Sequence, residues 1–267
     1  EDGVIIVSLG STDQGQGRAE VVRAFAAGIL KVAETQVLVR LGDTDAQRDG
    51  LGALASRSTP IGMPALLNAL TEFAAATRAT AADALGEAID DVALGEGGVA
   101  GATAMVSWAQ LAQHNIDVTH TYEAVHEAWG SGVAVASVDV DGDTGAVAVR
   151  SLFAVDDAGT LIDSRRASAQ VIGGAAQGLG EALREQLVYD DGELLTGSFM
   201  DYAMPRAADM PPVVHHSIET PAPDNPIGGK GIGEAGCIGV PAAILNAVHD
   251  ALSPLGVADL TFPLTPN

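Results

Sequence analysis

The chain of 267 residues contains a single cysteine, Cys237, and this scarcity excludes two kinds of architecture. One thiol cannot form an internal disulfide, and an iron–sulfur cluster needs about four cysteine ligands. Any cluster that serves this protein must therefore lie on another chain. Cys237 itself is interpreted as a small core residue rather than a nucleophile, because free cysteines pack well in apolar interiors.

Lysine is almost as scarce, since Lys31 and Lys230 are the only two in the sequence, and 13 Lys and Arg face 35 Asp and Glu. A formal net charge of -22 repels the phosphates of nucleic acids and the surfaces of anionic membranes. We therefore expect neither nucleic acid nor an acidic membrane as a partner.

Long uninterrupted apolar runs are also lacking, because the alanine-rich stretches are broken by Glu, Arg, Asp and Gly, so no membrane-inserted helix is expected. With 47% hydrophobic and 18% charged residues, the composition is that of an ordered globular protein. Glu1 stands where an initiator Met would be, and no signal-like segment leads the sequence. We expect a soluble, cytoplasmic protein whose true start was removed or lies within a longer polypeptide.

Glycine, in contrast, is abundant, and it makes up six of the twelve residues from Gly228 to Gly239. Missing Cβ atoms let another molecule approach the backbone closely. An apolar helical pattern follows Pro241, so we expect Pro241 to open a helix and Glu234 to lie in the loop before its N-terminus. Such a loop can hold an anionic group. A flexible connection with an exposed glutamate is an equally open interpretation.

The same stretch contains the pattern G-x-G-x-x-G from Gly231 to Gly236, which is typical of nucleotide-binding loops. The residues before it, from Pro221 to Pro226, are too rich in proline for the buried strand that a dinucleotide-binding fold requires. Gly231 follows Lys230 where a phosphate loop has Ser or Thr. Neither nucleotide-binding fold is therefore expected.

Near the N-terminus, alternating and helical patterns predict a strand at Val4–Leu9, a polar turn at Gly10–Gly17 and a helix after it. A second strand is predicted at Gln36–Leu41. Further on, hydroxyl groups flank a single guanidinium in Ser56-Arg57-Ser58, and such a set suits a phosphate or pyrophosphate.

The rest of the chain shows clear helical and hairpin patterns. A helix is predicted over Gly62–Leu85, and Ser107 is expected to cap a short helix at Trp108–His114. Strict alternation in Gly132–Val140 and in Ala146–Val155 predicts an antiparallel hairpin. The stretch Gly95–Ala102 is rich in glycine and carries no motif.

A second glycine-rich stretch, Ala169–Leu183, has helical apolar spacing despite four glycines. Each interior glycine costs roughly 0.5–1 kcal/mol relative to alanine. Close backbone approach, to another helix or to a ligand, is the expected reason. His215 and His216 are adjacent and would point to opposite faces of a strand, which makes them poor joint metal ligands.

These segments together resemble the C-terminal molybdopterin-binding domain of the molybdenum hydroxylases, the family of xanthine dehydrogenases, aldehyde oxidoreductases and aerobic carbon monoxide dehydrogenases. The resemblance covers nearly the whole chain, although Arg18 and Ala169 stand where the family usually has His and Gly. It implies that Glu234 is the catalytic base. It also implies cofactor contacts at Gln16, Gly17, Ser56, Arg57, Ser58, Gln170, Gly174, Lys230, Gly231 and Gly233, with no protein side chain as a metal ligand.

The resemblance further implies a mixed α/β fold in two lobes, 1–116 and 117–267. The implied activity is the oxidative hydroxylation of an aldehyde or of an N-heterocyclic, purine-like carbon with water. The expected cofactor is molybdopterin with molybdenum, in the cytosine dinucleotide form. Three partners are expected. They are a second molybdopterin-binding polypeptide equivalent to the N-terminal half of the large subunit, an iron–sulfur subunit and an FAD subunit. A dimer of this complex is left open. The alternative is a non-catalytic cofactor-binding or assembly module of the same fold.

Overall fold

The computed structural model describes residues 3–47, 49–257 and 259–266, and it confirms a mixed α/β fold. The chain forms two compact units. The first comprises Glu1–Glu127 together with Pro223–Gly228, and the second comprises Ala128–Ala222 together with Gly229–Asn267. The sequence pattern does not predict that Pro223–Gly228 belongs to the first unit. Two contacts hold this segment there, because Asn225 Nδ2 donates to the carbonyl oxygen of Pro60 at 2.8 Å and Tyr122 Oη donates to that of Asp224 at 3.2 Å.

The first unit begins with the predicted strand–loop–helix arrangement. Strand β1 (Ile5–Leu9) leads through the turn into helix α1 (Arg18–Leu30), and strand β2 (Val37–Leu41) then pairs with β1 in parallel. Alternate β1 side chains and one stripe of α1 are buried, as expected for a helix that crosses over a parallel strand pair.

The first unit continues with a long helix and a small antiparallel sheet. A π-helical turn at Ser58–Gly62 leads into helix α2 (Met63–Leu85), which confirms the predicted helix. The unit then forms three short strands and one short helix, namely β3 (Ala93–Gly95), β4 (Gly98–Ala100), β5 (Met105–Ser107) and α3 (Trp108–Leu111).

The local details of this sheet confirm one prediction and add one element. Ser107 caps α3 as predicted, since its Oγ accepts a hydrogen bond from Gln110 N at 3.3 Å. The stretch Gly95–Ala102 is not a featureless excursion, because it contains β4 and the turn that joins it to β3. Gly98, with φ of 145°, adopts a conformation that side-chain-bearing residues avoid.

The second unit is built on a three-stranded sheet with two helices on one face. The predicted hairpin forms from β6 (Ser131–Val140) and β7 (Val147–Asp157), and the sheet order is completed by β10 (Val213–Ile218), which runs parallel to β7. The remaining elements are α4 (Ser164–Leu183), β8 (Tyr189–Asp190), β9 (Glu193–Leu194) and α5 (Ala235–Leu252).

The core of the second unit lies between this sheet and its helices. Leu152 of β7, Leu179 of α4, and Ile244 and Val248 of α5 are almost completely buried in one cluster. Helices α4 and α5 approach so closely that a Cβ on Gly174 would lie 3.0 Å from the Cα of Gly236. The glycines of α4 therefore serve, at this point, the close approach of two helices.

Helix α5 differs from its prediction in two respects. It begins at Ala235, ahead of Pro241, which lies inside the helix where a missing N–H normally costs about 3 kcal/mol. Tight packing offsets this cost, because Pro241 is buried and its Cδ lies 3.0 Å from the position of a Cβ on Gly178. The segment Ala235–Leu255 is also apolar and long enough to cross a membrane by length and composition, contrary to expectation. In this structure one face of α5 packs against β6 and α4.

Candidate functional site

The residues that the resemblance assigns to the site fall into two sets, one in each compact unit. The set in the first unit lies in the turn before α1 and in the loop before α2, and consists of Gln16, Gly17, Ser56, Arg57 and Ser58. The set in the second unit lies on α4 and in the loop before α5, and consists of Gln170, Gly174, Lys230, Gly231, Gly233 and Glu234.

The turn before α1 is closed by its own side chains. Gln16 Nε2 donates to the carbonyl oxygen of Thr12 at 3.2 Å, and Gln16 Oε1 accepts from Gln14 N. Gly17 stands at the N-cap with φ of 76°, a conformation that favours glycine. The Gln16 amide thus shapes the turn, and its contact with a cofactor stays a prediction.

The carboxylate of Asp13, in the same turn, accepts hydrogen bonds from backbone N–H groups near the start of α1. Asp13 accepts hydrogen bonds from the backbone N–H of Ala19 at 2.9 Å and of Gly15 at 3.2 Å. The Ala19 bond is the main reason that the pKa of Asp13 lies below its usual value, and partial burial opposes this shift. Asp13 therefore stays ionised at neutral pH and occupies N–H groups at this helix end.

Two side-chain hydrogen bonds bring this turn against the loop that precedes α2. Ser11 Oγ donates to Ser58 Oγ at 2.9 Å, and the Arg18 guanidinium donates to Thr59 Oγ1 at 2.9 Å. The structure thus unites the Gln16-Gly17 turn with the Ser56-Arg57-Ser58 segment, which the sequence places far apart.

Arg18 is a candidate site residue that the motif comparison missed. Its Nε is buried and has no hydrogen-bond partner among the described residues. Burial lowers the pKa of its guanidinium, while the nearby Asp13 carboxylate partly offsets this shift. A rare cation placed directly after Gly17, at the start of a helix, was the sequence signal that could have identified it.

The adjoining loop offers further donors for an anion. Ala55 and Ser56 have positive φ values of 50° and 54°, and they set the half-buried Arg57 at the start of the π-helical turn. Within the described residues, the Arg57 guanidinium has no hydrogen bond or ion pair to the protein. Two guanidinium groups beside Ser58 and Thr59 form a donor set that suits a phosphate. The residues present therefore fit the anionic part of molybdopterin.

In the second unit, the loop that carries Glu234 is fastened to the end of β7. Lys230 N donates to the carbonyl oxygen of Ala158 at 2.8 Å, and Lys230 Nζ donates to Asp157 Oδ2 at 2.8 Å and to Thr220 Oγ1 at 3.0 Å. Both charged side chains are largely buried, with 14% and 12% exposed. The Lys230 ammonium is thus engaged within the protein, and its predicted cofactor contact stays a prediction.

Asp157 is the centre of this anchoring cluster. Its Oδ1 accepts from Gly159 N at 2.9 Å and from Thr220 N at 3.1 Å, and its Oδ2 also accepts from Thr220 Oγ1. Burial alone raises the pKa of Asp157, but the hydrogen bonds from Lys230, Thr220 and Gly159 outweigh it and hold the pKa well below its usual value. The Asp157 carboxylate is therefore fully ionised at neutral pH.

Glu234 is the N-cap residue of α5 rather than a residue in a loop further upstream. Glu234 is an exposed residue, and its carbonyl oxygen accepts from Cys237 N at 3.0 Å. The preceding residue is held by α4, because Gln170 Nε2 donates to the carbonyl oxygen of Gly233 at 2.8 Å. Gln170 therefore positions the loop directly before Glu234.

The remaining glycines of the predicted site lie where two backbone segments approach each other closely. Gly174 lies at the crossing of α4 and α5 and is buried. A Cβ on Gly130 would lie 2.8 Å from the carbonyl oxygen of Gly231, so this loop passes close to the start of β6. For both Gly174 and Gly231, contact with a cofactor stays a prediction.

Cys237 lies one turn after Glu234. Its Sγ donates to the carbonyl oxygen of Glu234 at 3.1 Å. Burial raises the pKa of the thiol, and the charges of Glu234 and Glu181 raise it further. The thiol is protonated at neutral pH, which disfavours a nucleophile, but Cys237 is half-buried and not the core residue that the sequence predicted.

The two adjacent histidines lie on opposite faces of β10, as expected. The side chain of His215 is 2% exposed and its Nε2 lies 3.5 Å from Asp156 Oδ2, whereas His216 is exposed. Burial raises the pKa of Asp156, and the neighbouring His215 opposes this shift. Among the described residues, no three His, Cys, Asp or Glu side chains cluster as metal ligands would.

The chain is similar to known proteins along nearly its whole length. Residues 1–211 match the family model described as a molybdopterin cofactor-binding domain. The nicotine 6-hydroxylase large subunit of Paenarthrobacter nicotinovorans is 32% identical over 99% of this chain and 35% of that protein, and the carbon monoxide dehydrogenase large chain of Hydrogenophaga pseudoflava is 30% identical over 98% and 35%. The structure of quinoline 2-oxidoreductase from Pseudomonas putida 86 superposes with a TM-score of 0.84 at 32% identity, over 99% of this chain and 36% of that one.

The chain therefore belongs to the molybdopterin cofactor-binding domain family of the molybdenum hydroxylases. It spans about a third of the length of the curated relatives that it matches. The family model ends before the Glu234 loop, whereas the alignments with these relatives cover nearly the whole chain.

Proposed function

We propose that this chain is the glutamate-bearing, cofactor-binding part of a molybdenum hydroxylase that adds oxygen from water to an aldehyde or an electron-poor N-heterocyclic carbon. The observation that carries the proposal is the position of Glu234 at the N-cap of α5, beside a backbone that Gln170 and Lys230 fasten on two sides. Such fastening holds a catalytic group in a fixed direction.

The first unit supplies the anion-binding half of this function. Arg18 and Arg57, with the hydroxyls of Ser58 and Thr59, would bind the phosphate groups of molybdopterin, in its cytosine dinucleotide form, through charge-assisted hydrogen bonds. When bound, the molybdenum cofactor supplies the two-electron oxidation of the substrate.

Glu234 would act as the general base that accepts the proton released as water adds to the substrate carbon. Glu234 is an exposed residue, so the proton that it accepts can pass on to solvent. Lys230 stabilises the loop through Asp157 and therefore acts as a positioning residue in this scheme.

The names of the relatives support the substrate class and the partners. Two of them are named for a hydroxylation or oxidation of N-heterocycles, nicotine and quinoline. The relatives are large subunits or large chains, and this chain spans about a third of them. We therefore infer that it works with the remaining large-subunit polypeptide and with separate iron–sulfur and FAD subunits, since its one cysteine cannot hold a cluster.

The Glu234→Gln variant of the full-length protein in its purified complex tests this function. Glutamine keeps the size of the side chain and removes the proton acceptor. Dye reduction with aldehydes and N-heterocycles should fall by at least roughly 10²- to 10⁴-fold, the range attributed to general-base catalysis, while molybdenum content stays unchanged. Glu193→Gln, an exposed glutamate in β9, is the matched control.

The two functional classes give different results in this experiment. A fully loaded Glu234→Gln complex with near-wild-type turnover would contradict the base assignment. A wild-type complex that binds the cofactor and oxidises none of these substrates would instead indicate a non-catalytic binding or assembly module.

A further inference from the structure

The sheet of the second unit has a second apolar face, opposite to the one that α4 and α5 cover. Val135 of β6, Phe153 of β7 and Val214 of β10 are direct neighbours across the three strands. They are 55%, 46% and 40% exposed, and Val133, two residues before Val135, is 66% exposed. We call Val133, Val135, Phe153 and Val214 the outer sheet face.

The first half of β6 carries apolar residues on both faces of the sheet. Ala134 and Ala136 point inward, and the larger Val133 and Val135 point outward. In the second half the outward positions are polar, at Ser137 and Asp139. A sheet with one face in water normally alternates apolar inward residues with polar outward ones. A sheet with apolar residues on both faces is typical of one that is covered on both sides.

The edge of the same sheet is also open. Among the described residues, the sheet order ends at β6, a strand of ten residues. Free edges are usually protected by lysine, proline or charged side chains, and β6 has only Asp139 near its end. This edge can therefore accept a further strand through backbone hydrogen bonds.

We propose that the outer sheet face and the β6 edge dock the polypeptide that corresponds to the remaining length of the relatives' large subunits. This chain spans 35% of the nicotine 6-hydroxylase large subunit and 36% of the quinoline 2-oxidoreductase chain, so most of the homologous polypeptide lies outside it. The inference rests on the proposed function for its partner and adds the surface that this partner covers.

The choice of this occupant follows from the chemistry of the surface. Exposed aliphatic side chains in a contiguous row with an unpaired strand edge fit a folded domain with its own edge strand and apolar face. The strongly acidic chain repels a second copy of itself. These observations favour a polypeptide that is held at high local concentration, through covalent linkage or stable subunit assembly.

Photo-crosslinking in the assembled complex tests this proposal. p-Benzoylphenylalanine is incorporated at Val135 of the full-length protein, the complex is purified and irradiated, and the cross-linked peptides are identified by mass spectrometry. Asp143, an exposed residue in the turn between β6 and β7, is the control position. We expect the probe at position 135 to give at least tenfold more cross-linked product than the probe at position 143, with the partner peptides in large-subunit sequence outside these 267 residues.

Three results would overturn the proposal: cross-links to a second copy of this chain, cross-links to an iron–sulfur or FAD subunit, or a yield no higher than that at position 143. Molybdenum content and dye reduction are measured on the same complex. An inactive complex with the expected cross-links refutes the proposed activity and keeps the docking surface, whereas an active complex without them does the reverse.

Discussion

The ammonium group of Lys230 lies 2.8 Å from the carboxylate of Asp157, in a cluster that Thr220 completes from a third segment of the chain. Lys230 lies in the loop before α5 and Asp157 at the end of β7. This pair therefore fixes the start of the loop, while Gln170 fixes its last glycine before Glu234.

We predict that Asp157→Asn destabilises the protein and changes its response to acid. Breaking a largely buried ion pair costs about 3 kcal/mol, because Lys230 then keeps an unpaired charge. The folded-state pKa of Asp157 is depressed, so the pair stabilises the fold fully above about pH 4, the pKa of a free aspartate, and loses this contribution as the pH falls further.

Thermal unfolding between pH 7 and pH 3 measures both effects. The Asp157→Asn variant should unfold at a lower temperature at pH 7 and show a smaller loss than the wild type on acidification. Asp143→Asn, in an exposed turn, is the control. Equal acid sensitivity of wild type and Asp157→Asn would show that the pair contributes nothing.

A second prediction concerns Gln170. Replacing it with leucine removes the hydrogen bond to Gly233, worth about 1 kcal/mol, and loosens the loop before Glu234. Turnover should fall about five- to tenfold, with faster amide hydrogen exchange in residues 231–234 and unchanged molybdenum content. Gln177→Leu, at an exposed position on the same helix, should have no such effect. A loss of cofactor instead of turnover would make Gln170 a cofactor contact, as the resemblance implies.

The crossing of α4 and α5 gives a third prediction. A Cβ at Gly236 would overlap the carbonyl oxygen of Val171 and lie 2.7 Å from Ala175 N, so Gly236→Ala must push the two helices apart. Overpacking of this kind costs about 1–3 kcal/mol. Gly173→Ala, in open space on α4, should instead add roughly 0.5–1 kcal/mol of stability. The unfolding temperature should fall for Gly236→Ala and rise for Gly173→Ala. An unchanged unfolding temperature in Gly236→Ala would show that α4 and α5 do not cross this closely.

The fourth prediction concerns the anion-binding set of the first unit. If the proposed function holds, Arg57→Ala and Arg18→Met each remove charge-assisted hydrogen bonds to the cofactor phosphates, worth about 1.5–3 kcal/mol. Molybdenum and bound nucleotide should both fall by about tenfold or more at limiting cofactor. Arg40→Ala, an exposed arginine of β2, is the control. If Arg57→Ala keeps normal amounts of molybdenum and bound nucleotide, Arg57 does not contact the cofactor.

Local patterns in the sequence were sufficient for the longer elements but not for the short strands β3, β4, β5, β8 and β9. Alternation alone located the β6–β7 hairpin, and helical spacing located α2, because these elements are stabilised by side chains on one repeating face. The start of α5 was misplaced because proline usually opens a helix, and here the packing of Pro241 against Gly178 overrides that preference.

The side-chain contacts within the candidate site could not be predicted from local sequence patterns. Lys230 and Asp157 are separated by 73 residues, and Arg18 meets Thr59 across 41, so neither pair leaves a local signal. The glycines of α4 left two explanations open, a neighbouring helix or a ligand. The structure shows that the neighbouring helix is the reason at Gly174 and Gly178, because a Cβ on either glycine would lie 3.0 Å from an atom of α5.

The segment Pro223–Gly228 belongs to the first compact unit although it follows most of the second in sequence. During synthesis on the ribosome, 165 further residues must therefore be added after Pro60 before Asn225 can reach it. Neither unit is a contiguous stretch of chain, so a truncation after Ala222 removes part of both. The first unit can therefore be completed only after most of the second unit has been synthesised.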